Sequence, residues 1–568
     1  MTAYRSRRSE AGLGVASEYQ FKPHERPTMP GSPANPAHPT SRKVGYFCIG
    51  VLIGLTGGFG NALIGVNLQF AQGTLGLDSD QAAMLTAAYL MTNTTANLLL
   101  MKYRQQFGLQ RFVRIMLPIY AAATVLHLLV HGFWSSIAVR AASGFAASAL
   151  STLALLYLMQ GMPAAKRLGG LMIGISVPQL ATPLARAISP ALLIGGNWHT
   201  LYWFELGMVL ASLSAVMSLP LPPSERVKVF ERMDFLTFAL LAPGTWIMVA
   251  VLTEGRIQWW TERAWMGWGL VASVLLIGSA LLIEHNRRNP LINTRWLGTR
   301  EMMRLILVAA AVRILLSEQS FGAVGLLGVV GVINDQMIGL QLVIVAASIV
   351  GIAAAVYFFD PADPSRPIAV ATLLIAIGSL MDANAGNLTR PAQFYASQAM
   401  IAFASLLFLG PTMVIGISRT LLAGPKHFIS FSVLFSLSQS LGGLLGTALL
   451  GTFQVLREKF HSHDLVQSIV MTDPQVAARI AGGSRGVAGV IGDPSLRGAE
   501  GAALLARAVT REANILAYND VFLLIGFLAV LTFLWGLSIR AGIRRRGETS
   551  PVMQLAQMRQ TAPDTENT

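Results

Sequence analysis

Ionisable side chains stand in apolar surroundings at Arg140, Arg186, Glu205, Arg313, Glu318 and Asp382. A charge at the centre of a membrane span costs roughly 2.5–3.5 kcal/mol on insertion scales. Residues kept there despite that cost either pair inside a helix bundle or line a water-filled path. Arg313 and Glu318 lie roughly 140° apart around a helix, so each looks to another helix or to a ligand. Three deep arginines against few deep carboxylates favour an anionic or zwitterionic ligand over a simple cation. Uncharged polar groups accompany them: Asn61, Asn67 and Gln69, then Thr92, Asn93, Thr94 and Asn97, then Ser436, Ser438 and Gln439. Their plain reading is hydrogen bonding between helices.

The elements that must position these groups are membrane helices. Hydrophobic residues make up 53% of the chain and charged ones 12%, about half the share usual in a soluble domain. About fourteen stretches are long and apolar enough to cross a bilayer. They run over 45–70, 82–101, 112–131, 135–160, 168–194, 198–219, 234–253, 265–284, 303–332, 337–359, 367–385, 393–418, 427–453 and 517–540. The expected fold class is therefore all-α, a polytopic membrane bundle. Lys and Arg collect on alternate connections: Arg42 and Lys43 before the first span, Lys102, Arg104, Arg111 and Arg114 after the second, Lys166 and Arg167 after the fourth. Arg226, Lys228 and Arg232 follow the sixth span, and Arg540, Arg544, Arg545 and Arg546 the last. That parity places both termini in the cytoplasm. It also accounts for the net charge of +14 without a nucleic-acid partner.

Other classes drop out. The single cysteine, Cys48, excludes an intramolecular disulfide framework. No P-loop, zinc-protease helix or G-x-S-x-G elbow is present, so neither ATP-driven pumping nor an enzyme is expected. His461 and His463 lack the spacing of a helical metal pair, and no metal or cofactor is assigned. Residues 1–43 read as a disordered cytoplasmic tail and 541–568 as a second tail. Residues 454–516 read as a partly ordered external loop, or as a docking surface for another protein. Pro178, Pro183 and Pro190 should bend the fifth span, while Gly442, Gly443 and Gly446 should let the thirteenth approach a neighbour closely. Kinked, close-packed helices suit a bundle that rocks between two states.

Several segments now converge on a family. In the fourth span, Val139-Arg140-Ala141-Ala142-Ser143-Gly144 looks like an R-x-x-x-G element, with Pro163-Ala164-Ala165-Lys166-Arg167 at the expected distance. Ser440-Leu441-Gly442-Gly443-Leu444-Leu445-Gly446-Thr447 and Asn519-Asp520-Val521-Phe522 follow in order. Over 44–540 the chain resembles the fourteen-helix drug/proton antiporters of the major facilitator superfamily, the EmrB/QacA type. It also departs from them. The family's first-span acid falls at Asn61. The loop after the second span keeps Gly108 and Arg111 but has Gln105 and Met101 where an acid and a glycine belong. The fifth-span G-P-x-x-G-G motif appears as Thr182-Pro183-Leu184-Ala185-Arg186-Ala187, retaining only Pro183.

The resemblance implies two six-helix halves, 44–219 and 302–540, with a linker at 220–301 that carries two inserted helices. It implies an inner-membrane secondary transporter that exports small organic compounds by alternating access. Arg140 and Arg313 are then the first cavity candidates. Since the Asn61 amide does not titrate, Glu318 or Glu205 takes the coupling role. It further implies a periplasmic adaptor and an outer-membrane channel for members that work in export assemblies, with 454–516 as the contact. Import of an anionic nutrient and a non-transporting sensor or assembly partner are the competing readings, because three coupling motifs are eroded.

Overall fold

The computed structural model describes residues 25, 27, 31–163 and 166–561. The first part of the expected N-terminal tail, Ala164 and Ala165 of the motif above, and the chain beyond 561 lie outside the described residues. Among those described the structure is helical, apart from an isolated bridge between Pro33 and Ser224.

Every stretch read as a span is a helix or a short series of helices. In order they are Thr40–Val66 with Leu68–Leu75, Ser79–Phe107, Leu109–His127, Phe133–Gly161, Arg167–Leu192 and His199–Ser218. Then come Arg232–Glu254, Ala264–Asn286, Arg300–Val329, Asn334–Tyr357, Arg366–Asp382, Pro391–Ala423, Phe428–Gln467 and Pro494–Arg545. Twelve of these are long and apolar enough to cross a membrane. The eleventh falls short at 17 residues, and the second is too polar. The second span can still lie in a bilayer because its polar side chains bond to neighbouring helices. Thr92 donates to the Ala141 carbonyl at 2.7 Å and Asn93 to the Gly144 carbonyl at 3.1 Å. This crossing is why position 144 is glycine: a Cβ there would run into the Tyr89 carbonyl and the Thr92 hydroxyl.

Within the first half the fourth span packs on the first, second and third; within the second, the twelfth packs on the tenth and eleventh, and the fourteenth on the eleventh and thirteenth. The halves meet where the fifth span lies against the tenth and twelfth, and where the second meets the thirteenth. The inserted seventh and eighth spans form a hairpin, closed by Ser273 donating to the Gly244 carbonyl at 2.7 Å. The seventh touches both the second and the thirteenth, bridging the halves. The eighth turns Trp268, Val271, Val274, Leu275 and Leu282 outward, as a lipid-facing helix does.

Three expectations need correction. The N-terminal tail does not extend to residue 43. From Gly31 the chain is anchored: Ala34 donates its N–H to the Pro223 carbonyl at 2.9 Å, and Gln160 donates to the Ala34 carbonyl at 2.9 Å. Residues 454–516 are not mainly loop. The thirteenth span runs on to Gln467, a separate helix covers Pro474–Gly486, and the fourteenth begins at Pro494. The starts were written locally, since Asp473 and Asp493 cap these helices with a proline at the next position. The Gly-rich middle allows close packing rather than disorder: a Cβ on Gly483 would come within 3.2 Å of the Gly501 Cα. Last, part of the C-terminal tail is a helix, Pro551–Thr561, packed on the twelfth span with Val552 buried.

Candidate functional site

A cavity of about 130 Å³ lies between the fifth span of the first half and the ninth, tenth and twelfth of the second. Arg186 and Arg313 both line it, and among the described residues no Asp or Glu does. Arg186 reaches it from the helical turn after Pro183, beyond the 3₁₀ segment Val177–Leu180 that Pro178 opens. Its Nη1 donates to the Asn334 side-chain oxygen at 3.0 Å. Asn334 in turn donates to the Val66 carbonyl at 3.2 Å, tying the tenth span to the first. Arg313 Nε donates to the Gln439 carbonyl at 3.0 Å.

The thirteenth-span glycines explain how Arg313 fits. A Cβ on Gly442 would stand 3.1 Å from the Arg313 Cβ, and one on Gly443 would stand 3.2 Å from its guanidinium. Only Gly446 serves close backbone approach, against Ile314. Gln341 completes the cavity: its amide nitrogen is buried and has no hydrogen-bond partner. Two guanidinium groups and a free amide donor around water-sized space can hold a carboxylate.

Glu318 sits one residue from the cavity wall and faces away from Arg313, as the helical spacing requires. It opens a π-helical segment, Glu318–Ala323, a local widening often found at functional sites. Gln398 donates through one amide nitrogen to Glu318 Oε1 at 3.0 Å and to Asp382 Oδ2 at 2.8 Å. All three side chains are buried. Gln319, on the cavity wall, donates to the Gln398 carbonyl at 3.3 Å, so the carboxylate pair and the cavity are one residue apart. Asp382 was visible in the sequence as a charge near a span end. Gln398 carried no signal there, because an amide in a helix has no pattern of its own.

Arg140 is the main departure from expectation. It is 1% exposed and belongs to the interior of the first half, not to the wall of the central cavity. Its guanidinium donates to the Gly60 carbonyl at 2.6 Å, the Asn61 side-chain oxygen at 2.7 Å and the Leu85 carbonyl at 3.2 Å, over the Tyr89 ring. Carbonyl dipoles and a π face thus supply the direct contacts to the cation, and the buried Glu205 carboxylate interacts with it electrostatically. Glu205 lies in the same half, accepting from the Tyr120 hydroxyl at 2.6 Å while its other oxygen has no partner. Tertiary packing therefore separates the candidates into Arg140 with Asn61, Arg186 with Arg313, and Glu318 with Asp382. Of the motif positions, Pro183 is buried and Gly108 ends the second span at φ +86°. Arg111 stacks over Phe107 at 5.5 Å.

No protein-family model and no curated protein matches the sequence. Solved structures do match. A crystal structure of the human organic anion transporter MFSD10 (TETRAN) superposes with a TM-score of 0.51 at 13% identity, over 87% of this chain and 100% of that one. The peptide transporter POT in complex with sulfate gives 0.54 at 14%, over 91% and 97%. Tetrameric PepTSo2 gives 0.53 at 14%, over 89% and 99%. The fold is thus that of the major facilitator transporters. The chain is a multi-pass membrane protein built on it.

Proposed function

We propose that the protein is a secondary active transporter that exports small organic anions or zwitterions across the inner membrane by alternating access. The observation that carries this reading is the cavity at the junction of the halves. One half contributes Arg186 and the other Arg313, and none of the described residues on the wall is acidic. An anion held between them binds both halves together, and its arrival or release changes the balance between their two arrangements. The neighbours described as an organic anion transporter and as a sulfate-bound peptide transporter are in keeping with it.

Energy enters through Glu318 and Asp382. Two carboxylates around the Gln398 amide form a site that can hold and release a proton, and Gln319 connects it to the cavity. Asn61 cannot take that part. Both chain ends lie on the cytoplasmic side in this reading. The order of six, two and six spans supports membership of the fourteen-helix drug antiporter family. The segment 454–516 exposes Val466, Val470, Met471, Val490 and Leu496, which suits contact with a periplasmic adaptor leading to an outer-membrane channel.

The test is flux in proteoliposomes under an imposed pH gradient and then an imposed potential. Benzoate, glycine and tetraphenylphosphonium serve as anionic, zwitterionic and cationic probes. Outward-directed movement of the anion or zwitterion is expected. Inward movement makes the protein an importer, and absence of flux for every probe removes transport from consideration.

A further inference from the structure

Between the central cavity and the face where the described residues begin and end lies a second cavity, of about 230 Å³, with Gln179 forming part of both walls. Its lining comes from both halves and, among the described residues, includes no Asp or Glu. Arg104 enters it from the end of the second span. This arginine is 3% exposed, and its Nε has no hydrogen-bond partner. Gln439 Nε2 and the Ser432 hydroxyl, on the facing thirteenth span, are likewise buried on this cavity and unpartnered. Buried polar groups are ordinarily satisfied, and a buried cation without a counter-charge is the costliest exception. Three such groups around one cavity, unpartnered among the described residues, are explained together if an anion enters.

The remainder of the wall is apolar, with Leu155, Leu171, Met413 and Phe435 among it. That mixture suits an organic anion with an apolar body rather than a small inorganic ion. Beyond it lies a vestibule of about 1170 Å³, lined by Lys102, Lys228, Arg288 and Lys426 and also by Glu225 and Glu231. The partition between the two spaces is the anchored N-terminal segment. Gly31 lines the vestibule, and the next residue, Ser32, lines the inner cavity. Gly31 is pressed on the second span at φ +69°, where a Cβ would stand 3.3 Å from the Arg104 Nε.

We infer that Arg104, Gln439 and Ser432 form an entry site for the carboxylate of an organic anion, occupied before the central pair Arg186 and Arg313. The inference rests on the transport reading above and adds a second site to it. Equilibrium binding of benzoate to the full chain in nanodiscs tests it, with benzamide as the uncharged control. The wild-type chain should bind two benzoates. Arg104→Gln should lose one of them, its Kd rising about tenfold or more, as expected for a charge-assisted contact. Arg104→Lys should retain part of that affinity. Gln439→Leu, which keeps the backbone carbonyl bonded to Arg313, should weaken the same site alone. Arg313→Gln should lose the other benzoate. Two unchanged sites in Arg104→Gln, or equal binding of benzamide, would overturn the entry site. Loss of one benzoate in Arg104→Gln with no change in Arg313→Gln would uphold the entry site and remove the central one.

Discussion

The guanidinium of Arg140 donates to the side-chain oxygen of Asn61 at 2.7 Å, deep in the first half. Asn61 is thus an uncharged acceptor for a buried cation. The two residues brace the first and fourth spans, and carbonyls from the first and second complete the set.

Arg140→Met should therefore act on stability rather than on ligand affinity. Each buried carbonyl left without its donor costs about 1–3 kcal/mol. The melting temperature in detergent should fall, while the folded fraction binds benzoate as the wild type does. A tenfold loss of affinity would show instead that Arg140 reaches the ligand.

Arg313→Gln should lower the efficiency of carboxylate transport tenfold or more, since a hydrogen bond to a charged group is worth about 1.5–3 kcal/mol. An uncharged amide of the same shape should be unaffected. Arg186→Gly should cause transport to collapse too, because it removes the only guanidinium that the described residues of the first half contribute to this cavity. Normal flux in Arg186→Gly would reduce that arginine to a packing residue.

Glu318→Gln should abolish proton-driven flux while leaving exchange of labelled for unlabelled substrate intact. Asp382→Asn should act in the same direction, because the same Gln398 nitrogen serves both carboxylates. Unchanged pH-dependent transport in Glu318→Gln sinks that assignment for Glu318 and leaves Asp382 and Glu205 as the carboxylates to test.

At the face that carries the chain ends, Asp363 pairs with Arg540 and, at 2.9 Å, with Arg544. Burial pushes its carboxyl up, but the two guanidinium groups outweigh this and hold it below the usual carboxylate value. The sign follows from a lowered folded value. The pairing stabilises above the unfolded pKa, roughly 3.9, and is lost as pH falls through the folded one. The Ser550 hydroxyl donates to the Pro361 carbonyl two residues away, so the same loop holds the C-terminal helix. Acidification below about pH 4, or Asp363→Asn at neutral pH, should expose 551–561 to proteolysis. Equal cleavage rates in wild type and Asp363→Asn would show that the helix is held by Val552 alone.

Much of the membrane architecture was legible locally. Apolar length located the spans, because a helix in lipid must satisfy its own backbone and cover it with apolar side chains. The capped starts at Asp473 and Asp493 were equally local, and the Gly-rich composition between them obscured what they said. The cavity was legible only in outline. Buried arginines raised the expectation of an anionic ligand, yet Arg140 and Arg313, alike in sequence, fall in unlike places.

By itself, then, the sequence determined that this chain is a helical membrane bundle and that it keeps charges within its spans. Tertiary structure decided which charges meet: Arg186 with Arg313 across the two halves, Glu318 with Asp382 through Gln398, and Arg104 beneath an N-terminal segment that composition read as a free tail. The reason is geometric. Hydropathy records how far a helix extends, whereas the partner of a buried group depends on rotation about the helix axis. That rotation is set by contacts with residues far away in the chain.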